Sequence, residues 1–304
     1  MEKSLSEGGC LDRIVSSIRP EVVQYQAEEE AWGSNGLDAT SMLQKHDVVS
    51  RLRTKYLGNS ILTVEKCTST NDLAVEAALA GMSHGLVVIA NEQTRGRGRY
   101  GRTWVSPRGG IWMTILLRPP IDSATLRGLT VLSSLAIARS VSNSLGVKAM
   151  VRWPNDVVVA NRKLAGVLAE SRVDGNELVC ALVGMGVNAN FHAPQIEGSN
   201  QQPTTLLDEV GSPIDRAALV SRILSETEQL LDGMHTLGEQ HLLEVLRCSE
   251  VSIGRHAALD LGGQLRVEGI IQDYESLTSI RIMSESGKLS TIEAGSVISV
   301  SYLD

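Results

Sequence analysis

Aromatic residues are scarce in this chain of 304 residues: four Trp, five Tyr and one Phe make up only 3% of it. With so few rings, a hydrophobic core has to be filled mainly by Val, Leu, Ile and Ala, which suits β-sheets backed by helices. The hydrophobic fraction of 42% and the charged fraction of 21% are ordinary and exclude a disordered, collagen-like or coiled-coil chain. A Trp in a polar, glycine-rich stretch is therefore a candidate for a binding site.

Paired cysteines and long apolar runs are also lacking. The cysteines, at positions 10, 67, 180 and 248, form no CxxC pair and no zinc-like spacing, as is typical of isolated thiols in a reducing cytoplasm. The longest apolar stretch, residues 178–187, is far shorter than the roughly 20 residues that cross a bilayer. The first 30 residues do not follow the order of a signal peptide. We therefore expect a cytoplasmic protein with no membrane partner.

Basic residues are outnumbered overall, with a net charge of −7, but they are unevenly spread. Residues 51–118 hold ten Lys or Arg and four Asp or Glu, whereas residues 1–50 hold four Lys or Arg and nine Asp or Glu. An acidic chain with one basic segment indicates a local anion site and disfavours a general nucleic-acid-binding surface.

Strand-like and helix-like segments alternate from about residue 46. The patterns predict strands at 61–66, 86–89, 111–117, 157–159, 164–170 and 178–187 and helices at 47–56, 70–79, 125–145 and 215–231. Thr70 is the predicted cap of the second helix. After about residue 249, short strand-like segments separated by glycines, beginning at 251–253, predict a small all-β barrel. We therefore expect an acidic arm over 1–45, poorly structured or a short helix, then an α/β domain over 46–248 and a β domain over 249–304.

The segment 93–104, QTRGRGRYGRTW, is the most informative. It contains four arginines, and a fifth follows shortly after it. All five lie within fourteen residues that include no Asp or Glu: Arg95, Arg97, Arg99, Arg102 and Arg108. Interleaved glycines allow the backbone to bend closely around an anion such as a phosphate. Gly96–Gly101 matches GxGxxG, but no helix follows it and no P-loop is present, which excludes dinucleotide and Walker-type sites. A solvated basic loop or an RGG-type RNA-binding segment stays open, as does a lid or stacking role for Trp104 and Trp112.

Three further polar or glycine-rich segments fall at the ends of predicted elements. They are TSTN at 68–71, RWPND at 152–156 with RKLAG at 162–166, and GMGVN at 184–188. Each has an ordinary explanation, respectively a helix cap, an edge charge and a tight turn. Their functional alternatives are a polar head-group site, a lysine that neutralises an oxyanion, and a flat wall for a ligand.

Taken in order, these segments resemble biotin–protein ligases. The resemblance covers about residues 46–304, and the arginine–glycine loop ending in Trp104, followed later by Lys163-Leu-Ala-Gly166, is highly specific. It implies an α+β fold, a mixed β-sheet with helices like that of class II aminoacyl-tRNA synthetases, plus a C-terminal SH3-like β-barrel. It also implies two steps: biotin and ATP, with Mg²⁺, give biotinyl-5′-AMP and pyrophosphate, and a lysine of a biotin carboxyl carrier domain then takes the biotinyl group.

The resemblance also assigns roles to residues, residue by residue. Those implied to bind biotin are Ser69, Thr70, Asn71, Gln93, Arg97, Gly98, Arg99, Lys163 and Gly186. Those implied to bind ATP or the adenylate are Arg99, Arg102, Trp104, Asn155, Lys163 and Asn188. Lys163, Arg97 and Asp156 are implied to take part in catalysis, Asp156 by assisting the acceptor lysine. Metal ligands are not identified.

Partners and alternatives follow from the same comparison. Some family members carry an N-terminal winged helix that binds DNA, but the 45 residues before the core are acidic, so we expect no DNA binding. A homodimer stays open. A lipoate–protein ligase is the nearest rival, although its Arg-Arg-x-Ser-Gly-Gly-Gly loop does not occur here. An RNA-binding module is the rival from another class.

Overall fold

A mixed β-sheet of eight strands lies at the centre of the larger domain. The computed structural model describes residues 41–196 and 201–303, together with the short strand Val23–Gln24. The strands are β1 (Val23–Gln24), β2 (Ile61–Cys67), β3 (Val87–Gln93), β4 (Ile111–Leu117), β5 (Ala149–Arg152), β6 (Asp156–Val159), β7 (Arg162–Asp174) and β8 (Glu177–Val187). Their order across the sheet is β1-β2-β3-β4-β8-β7-β6-β5, and β2 and β3 run parallel while the other neighbours are antiparallel.

Helices cover both faces of this sheet. They are α1 (Lys45–Val49), α2 (Thr70–Leu79), α3 (Ser123–Leu145), α4 (Leu206–Val210), α5 (Arg216–Thr236) and α6 (Glu239–Arg247). Side chains alternate along β3, so that Val87 and Ile89 join the core beneath α3 and α5, while Val88 and Ala90 join the smaller core beneath α2. The sheet is therefore buried on both faces, and its strand ends are left to form a site.

The C-terminal β domain is a five-stranded antiparallel sheet over residues 256–302. Its strands are β9 (His256–Asp260), β10 (Arg266–Ser276), β11 (Ser279–Met283), β12 (Leu289–Glu293) and β13 (Ser299–Tyr302), in the order β12-β11-β10-β9-β13. Its aliphatic core is continuous with the core of the larger domain, and the backbone N–H of Leu277 donates to the Glu239 carboxylate at 2.8 Å. The expected α+β fold with a C-terminal β domain is confirmed.

Several predicted elements differ from the observed ones. The helix predicted at 47–56 is wrong beyond residue 49, because the backbone N–H groups of residues 55–57 instead donate to the Glu228 carboxylate at 2.6, 2.9 and 2.9 Å. The oxygen that caps α2 is on Ser69, not Thr70, and it accepts from the Asn71 N–H. Residues 251–253, predicted as a strand, form none.

Other observed elements were not predicted or are longer than predicted. The short elements β5 and α4 and the amphipathic α6 were not predicted, and α5 extends to Thr236. Within the arm, residues 23–24 form an edge strand where a short helix or little structure was expected. Residues 41–44 form no helix or strand and Lys45 begins α1, while residues 1–22 and 25–40 lie outside the described residues. In the described part of the chain the cysteines are free thiols, and no helix there has the length and apolar character to cross a bilayer.

Candidate active site

One cavity of about 270 Å³ opens where the ends of α2, β6, β7 and β8 meet the arginine–glycine loop and the C-terminal β domain. Thirteen of the fourteen residues with predicted roles line it: Ser69, Thr70, Asn71, Gln93, Arg97, Gly98, Arg99, Arg102, Trp104, Asn155, Asp156, Lys163 and Gly186. Segments that lie more than 100 residues apart in the sequence therefore converge on one small-molecule-sized site.

The start of α2 forms a hydrogen-bonded polar end of the cavity. Gln93 accepts from the Thr70 N–H at 2.8 Å and from its hydroxyl at 3.1 Å, and donates to Ser106 at 2.8 Å. The buried Thr114 hydroxyl lies 2.6 Å from Asn71 Oδ1. Because each side chain is held by another, this end is rigid and polar before any ligand arrives.

Arg97 is held at the same end by acids from distant parts of the sequence. Its guanidinium donates to both oxygens of Asp72, at 2.9 and 2.7 Å, and lies 3.9 Å from Glu170. Hydrogen bonding and the charge of Asp72 raise the pKa of Arg97 further above its ordinary value. Glu170 also accepts from Asn71 Nδ2 at 2.5 Å. Acids from outside the arginine–glycine loop therefore offset the charge of Arg97, and an ion pair with Glu65 does the same for Arg108, which does not line the cavity.

The tip of the arginine–glycine loop rests on the C-terminal β domain. Arg99 donates to the backbone carbonyls of Ala294 and Val297 at 2.6 and 2.9 Å. Arg102 and Tyr100 donate to two carbonyls of the same stretch, at 3.2 and 3.0 Å. Since carbonyl oxygens carry no formal charge, Arg99 and Arg102 keep their full charge for an anion in the cavity.

Lys163 lies at the centre of the basic part of the cavity. Its ammonium is 2.6 Å from Asp156 Oδ1 and 5.1 Å from the centroid of the Trp104 ring. The other oxygen of Asp156 accepts from Arg152 at 3.0 Å, and the Arg152 side chain is only 2% exposed. Burial by itself would raise the pKa of Asp156, but the charges and hydrogen bonds of Lys163 and Arg152 outweigh it and lower that pKa. Asp156 is therefore an anion that fixes the position of the Lys163 ammonium.

Trp104 lies flat against glycines on two neighbouring strands. A Cβ added at Gly186 would lie 2.5 Å from the Trp104 ring nitrogen, and one at Gly166 would lie 3.1 Å from the ring. One at Gly184 would lie 2.4 Å from Asn71 Oδ1. The flat wall proposed for GMGVN is present, and the protein's own Trp104 and Asn71 pack against it, which only glycine permits.

The other tryptophans serve different purposes. Trp112 is fully buried, and its ring nitrogen donates to the Pro107 carbonyl at 2.9 Å, so it is a core residue and not a lid. Trp153 is also buried but lines the cavity.

Asn188 is the one predicted residue that does not line the cavity. Its side-chain amide donates to the Thr204 carbonyl at 2.9 Å and so holds the segment before α4 against the end of β8. Residues that sequence patterns did not assign to the site include Arg152, whose motif was noticed, and residues 297–300 and Tyr302 of the C-terminal β domain. No local sequence signal marks the latter, because they reach the cavity only through domain packing.

The charge of the lining favours a polyanion. Among the described residues, five basic side chains face the cavity, those of Arg97, Arg99, Arg102, Arg152 and Lys163, against one carboxylate, that of Asp156. Such a site can bind phosphate groups and stabilise negative charge that develops on oxygen. Its opposite, polar end, where Arg97 is paired with Asp72, can hold a head group through hydrogen bonds.

Known proteins share both the sequence and the fold. A sequence model of the Biotin/lipoate A/B protein ligase family matches residues 64–188. The Biotin--[acetyl-CoA-carboxylase] ligase of Mycobacterium tuberculosis is 31% identical over 241 residues, which cover 77% of this chain and 87% of that protein. The fold is similar to that of a biotin protein ligase from Aquifex aeolicus in complex with biotin and ATP, with a TM-score of 0.69, 23% identity and coverage of 80% of this chain and 99% of that one.

A second relative is longer than the part it shares. The Bifunctional ligase/repressor BirA of Bacillus spizizenii is 30% identical over 212 residues, which cover 69% of this chain and 65% of that protein. The match with the Mycobacterium tuberculosis protein extends over most of both chains. The chain therefore belongs to the biotin–protein ligase family.

Proposed function

We propose that this chain attaches biotin to a carrier protein in two ATP-dependent steps. In the first, a biotin carboxylate oxygen bonds to the α-phosphorus of ATP, and the bond from that phosphorus to pyrophosphate breaks. In the second, the neutral ε-amine of the carrier lysine bonds to the acyl carbon, AMP leaves, and the amine gives up a proton. The observation that supports this most directly is the cavity itself, which joins a polar end held by hydrogen bonds to a cluster of four other cations, Arg99, Arg102, Arg152 and Lys163.

The first step brings a carboxylate to a triphosphate, and both are anions. Lys163 is the group proposed to bridge them, because its ammonium lies in the cavity and Asp156 holds it at 2.6 Å. Arg99 and Arg102 are proposed to exchange their carbonyl partners for phosphate oxygens, a stronger, charge-assisted contact. Arg97 differs from these residues, because both its terminal nitrogens already bind Asp72. We propose that Arg97 holds the polar end of the cavity in shape, and that the other cations bind the carboxylate and the phosphates.

The polar end is proposed to receive the uncharged head of biotin. Ser69, Thr70, Asn71 and Gln93 offer hydroxyl and amide groups there, and Gly98 and Gly186 line the same cavity. Asp72 and Glu170 lie just behind Arg97. Their charge disfavours a carboxylate at this end, so the acid is oriented towards Lys163.

Trp104 and Asn155 are proposed to cover the adenylate. An acyl-adenylate hydrolyses when water reaches it, and a ring seated on the glycine wall beside Lys163 excludes water from that region. Asn188 is proposed to act from outside the cavity, by holding the Thr204 segment in place.

Asp156 is proposed to assist the second step by electrostatics. Its lowered pKa makes it a weak proton acceptor. As an anion beside the acyl group it still favours the approach of the carrier amine, which starts as an ammonium ion and has to lose a proton.

Mg²⁺ fits the substrate better than it fits the protein. Among the described residues no group of three His, Cys, Asp or Glu side chains could hold a metal ion, and the one cavity carboxylate already binds two cations. Mg²⁺ typically keeps several waters and binds substrate phosphates with one or two protein oxygens. We therefore propose that it enters with ATP, where it would neutralise phosphate charge, and that Asn155 and Asp156, which line the cavity, would offer it side-chain oxygens.

The rival functions predict different results in one assay. The protein is incubated with ATP and Mg²⁺ and with either biotin or lipoate, and pyrophosphate release is followed. We expect release with biotin, and acylation of an added biotin carboxyl carrier domain. Release with lipoate alone indicates a lipoate ligase. Release with neither, together with tight binding of single-stranded RNA, indicates an RNA-binding module.

Lys163→Ala tests the proposed bridge. We expect pyrophosphate release to fall at least about 1,000-fold, because removing one group that stabilises developing oxyanion charge costs 100- to 1,000-fold and Lys163 faces two anions. Lys148→Ala is the control, since Lys148 is exposed and outside the cavity. Near-normal release by Lys163→Ala would refute this role.

Other expectations for the whole protein stay predictions. They are a biotin carboxyl carrier partner, a cytoplasmic location, no DNA binding and, left open, a homodimer. Salt-sensitive, sequence-specific DNA binding by the purified protein would contradict the third.

A further inference from the structure

Both backbone polar groups of Trp153 are held by side chains of the C-terminal β domain. The Trp153 N–H donates to Ser252 Oγ at 2.9 Å, and its carbonyl accepts from the Tyr302 hydroxyl at 3.1 Å. The hydroxyls of Tyr302 and Ser252 are 3.0 Å apart. Trp153 and Ser252 are both fully buried. The chain segment that carries the RWPND motif is therefore clamped from a domain that contributes none of the motif's residues.

The ring of Tyr302 makes a second contact with the same motif. The guanidinium carbon of Arg152 lies 5.8 Å from the ring centroid, and that of Arg255 lies 4.4 Å from it. Aromatic faces attract cations, and the attraction increases when the cation is removed from water, as the 2% exposed Arg152 is. The ring thus stabilises the buried Arg152 guanidinium in its position beside Asp156.

These contacts form an unbroken series that ends at Lys163. Tyr302 contacts Arg152, Arg152 donates to one oxygen of Asp156, and the other oxygen binds the Lys163 ammonium. Tyr302 and Lys163 both line the cavity. We infer that Tyr302 is a positioning residue for Lys163, acting through Arg152 and Asp156. Its hydroxyl holds the carbonyl of Trp153, next to Arg152 in the chain, and its ring contacts the Arg152 guanidinium. The C-terminal β domain thereby controls the geometry of the adenylation centre.

The chemistry of Tyr302 suits this role. Burial raises its pKa to about 12, so the phenol stays neutral and remains a hydrogen-bond donor throughout the working pH range. A misplacement of about 1 Å in a reacting group can cost about 100-fold in rate. A small loss of positioning by Tyr302 is therefore measurable in turnover.

The test compares two buried tyrosines of the same domain. Tyr302→Phe removes the hydroxyl and keeps the ring, and Tyr302→Leu removes both. Tyr274→Phe is the matched control, because Tyr274 is buried but does not line the cavity. With biotin-dependent ATP–pyrophosphate exchange, we expect kcat to fall about tenfold in Tyr302→Phe and about 100-fold in Tyr302→Leu. We expect the KM for biotin to stay within about twofold in both, and Tyr274→Phe to keep kcat within about twofold.

A double-mutant cycle separates positioning from a general structural effect. If Tyr302 acts through Asp156, adding Tyr302→Phe to Asp156→Asn lowers kcat by less than about twofold beyond Asp156→Asn alone. Wild-type kcat in Tyr302→Phe, an equal loss in Tyr274→Phe, or losses that multiply in the double variant would each overturn the inference. Tyr302→Phe keeps the test decisive even where Tyr302→Leu does not fold.

The kinetic part rests on the proposed function, so a second readout is independent of it. Acetylation of lysine amines by acetic anhydride is followed by mass spectrometry in the unliganded protein. Release of Lys163 from Asp156 is expected to raise its labelling rate about threefold in Tyr302→Phe, with the exposed Lys148 unchanged. Absence of exchange in the wild type would defeat the proposed function, and the labelling result alone would then decide this inference, an unchanged Lys163 rate overturning it.

Discussion

Asp156→Asn probes the ion pairs at the centre of the site. The substitution keeps the shape of the side chain and removes its charge, leaving the guanidinium of Arg152 buried at 2% exposure without a counter-ion. Removing one partner of a buried pair costs about 3–5 kcal/mol, because the remaining charge stays out of water. Arg152 keeps the Tyr302 ring and a 3.4 Å contact to the Asn161 carbonyl. We therefore expect the lower end of that range, a loss of about 3 kcal/mol in the free energy of unfolding.

Urea unfolding measures this loss, and Asp273→Asn is the matched control. Asp273 also binds two arginines, Arg247 and Arg281, but its side chain is 29% exposed and lies outside the cavity. A pair of that exposure is worth less than about 1 kcal/mol. The slope of the free energy against urea should be unchanged, since the surface exposed on unfolding is the same. If Asp156→Asn loses no more than Asp273→Asn, the account of Asp156 as a buried counter-ion is wrong.

The contribution of Asp156 to the free energy of unfolding should also depend on pH in a definite direction. The folded pKa of Asp156 lies below its ordinary value of 3.8, because Lys163 and Arg152 outweigh the effect of burial. Stability from this group is therefore complete above the unfolded pKa and disappears as the pH falls through the folded pKa. The difference between wild type and Asp156→Asn should be constant from about pH 7 to about pH 5 and should shrink below about pH 4. A difference that grows on acidification would contradict the sign.

Three further predictions follow from the same site. Gly186→Ala places a methyl group 2.5 Å from the Trp104 ring nitrogen, so it should lower the free energy of unfolding by about 1–3 kcal/mol and adenylate formation about 100-fold. Gly295→Ala is the control, because a methyl group there meets nothing within 4 Å, and it should change neither urea unfolding nor ATP–pyrophosphate exchange. Arg99→Ala should speed amide hydrogen exchange across the arginine–glycine loop at least about tenfold, because it removes both contacts of Arg99 to backbone carbonyls. Arg95→Ala, at an exposed position, should leave the amide hydrogen exchange rates of the loop unchanged. The rate of biotin transfer from preformed adenylate should rise with pH as the acceptor amine deprotonates, and a rate that is flat from about pH 7 to about pH 10 would contradict attack by a neutral amine.

Local sequence patterns predicted most of the sheet and most of the cavity lining. Strands such as β4 and β8 are continuous apolar runs, and the chemistry-bearing segments each follow or begin an element, so their meeting at strand ends could be expected. The helix at α6 could also have been found, because Leu242, Leu243 and Leu246 recur at helical spacing and are buried.

Contacts between distant segments could not be read from local patterns. The helix predicted to residue 56 ends early because Glu228, about 170 residues away, binds the backbone of residues 55–57. Likewise, Asp72 and Glu170 offset the charge of Arg97 in the arginine–glycine loop, and Tyr302 reaches the cavity from the last strand. Each depends on tertiary packing, which no motif spacing reports.

The central claim is tested most directly by mass spectrometry of a biotin carboxyl carrier domain incubated with this protein, ATP, Mg²⁺ and biotin. We predict the mass increase of one biotinyl group on a single carrier lysine with the wild type, and no increase with Lys163→Ala or without ATP. An unmodified carrier with the wild type, or a carrier modified only when lipoate replaces biotin, would contradict the account.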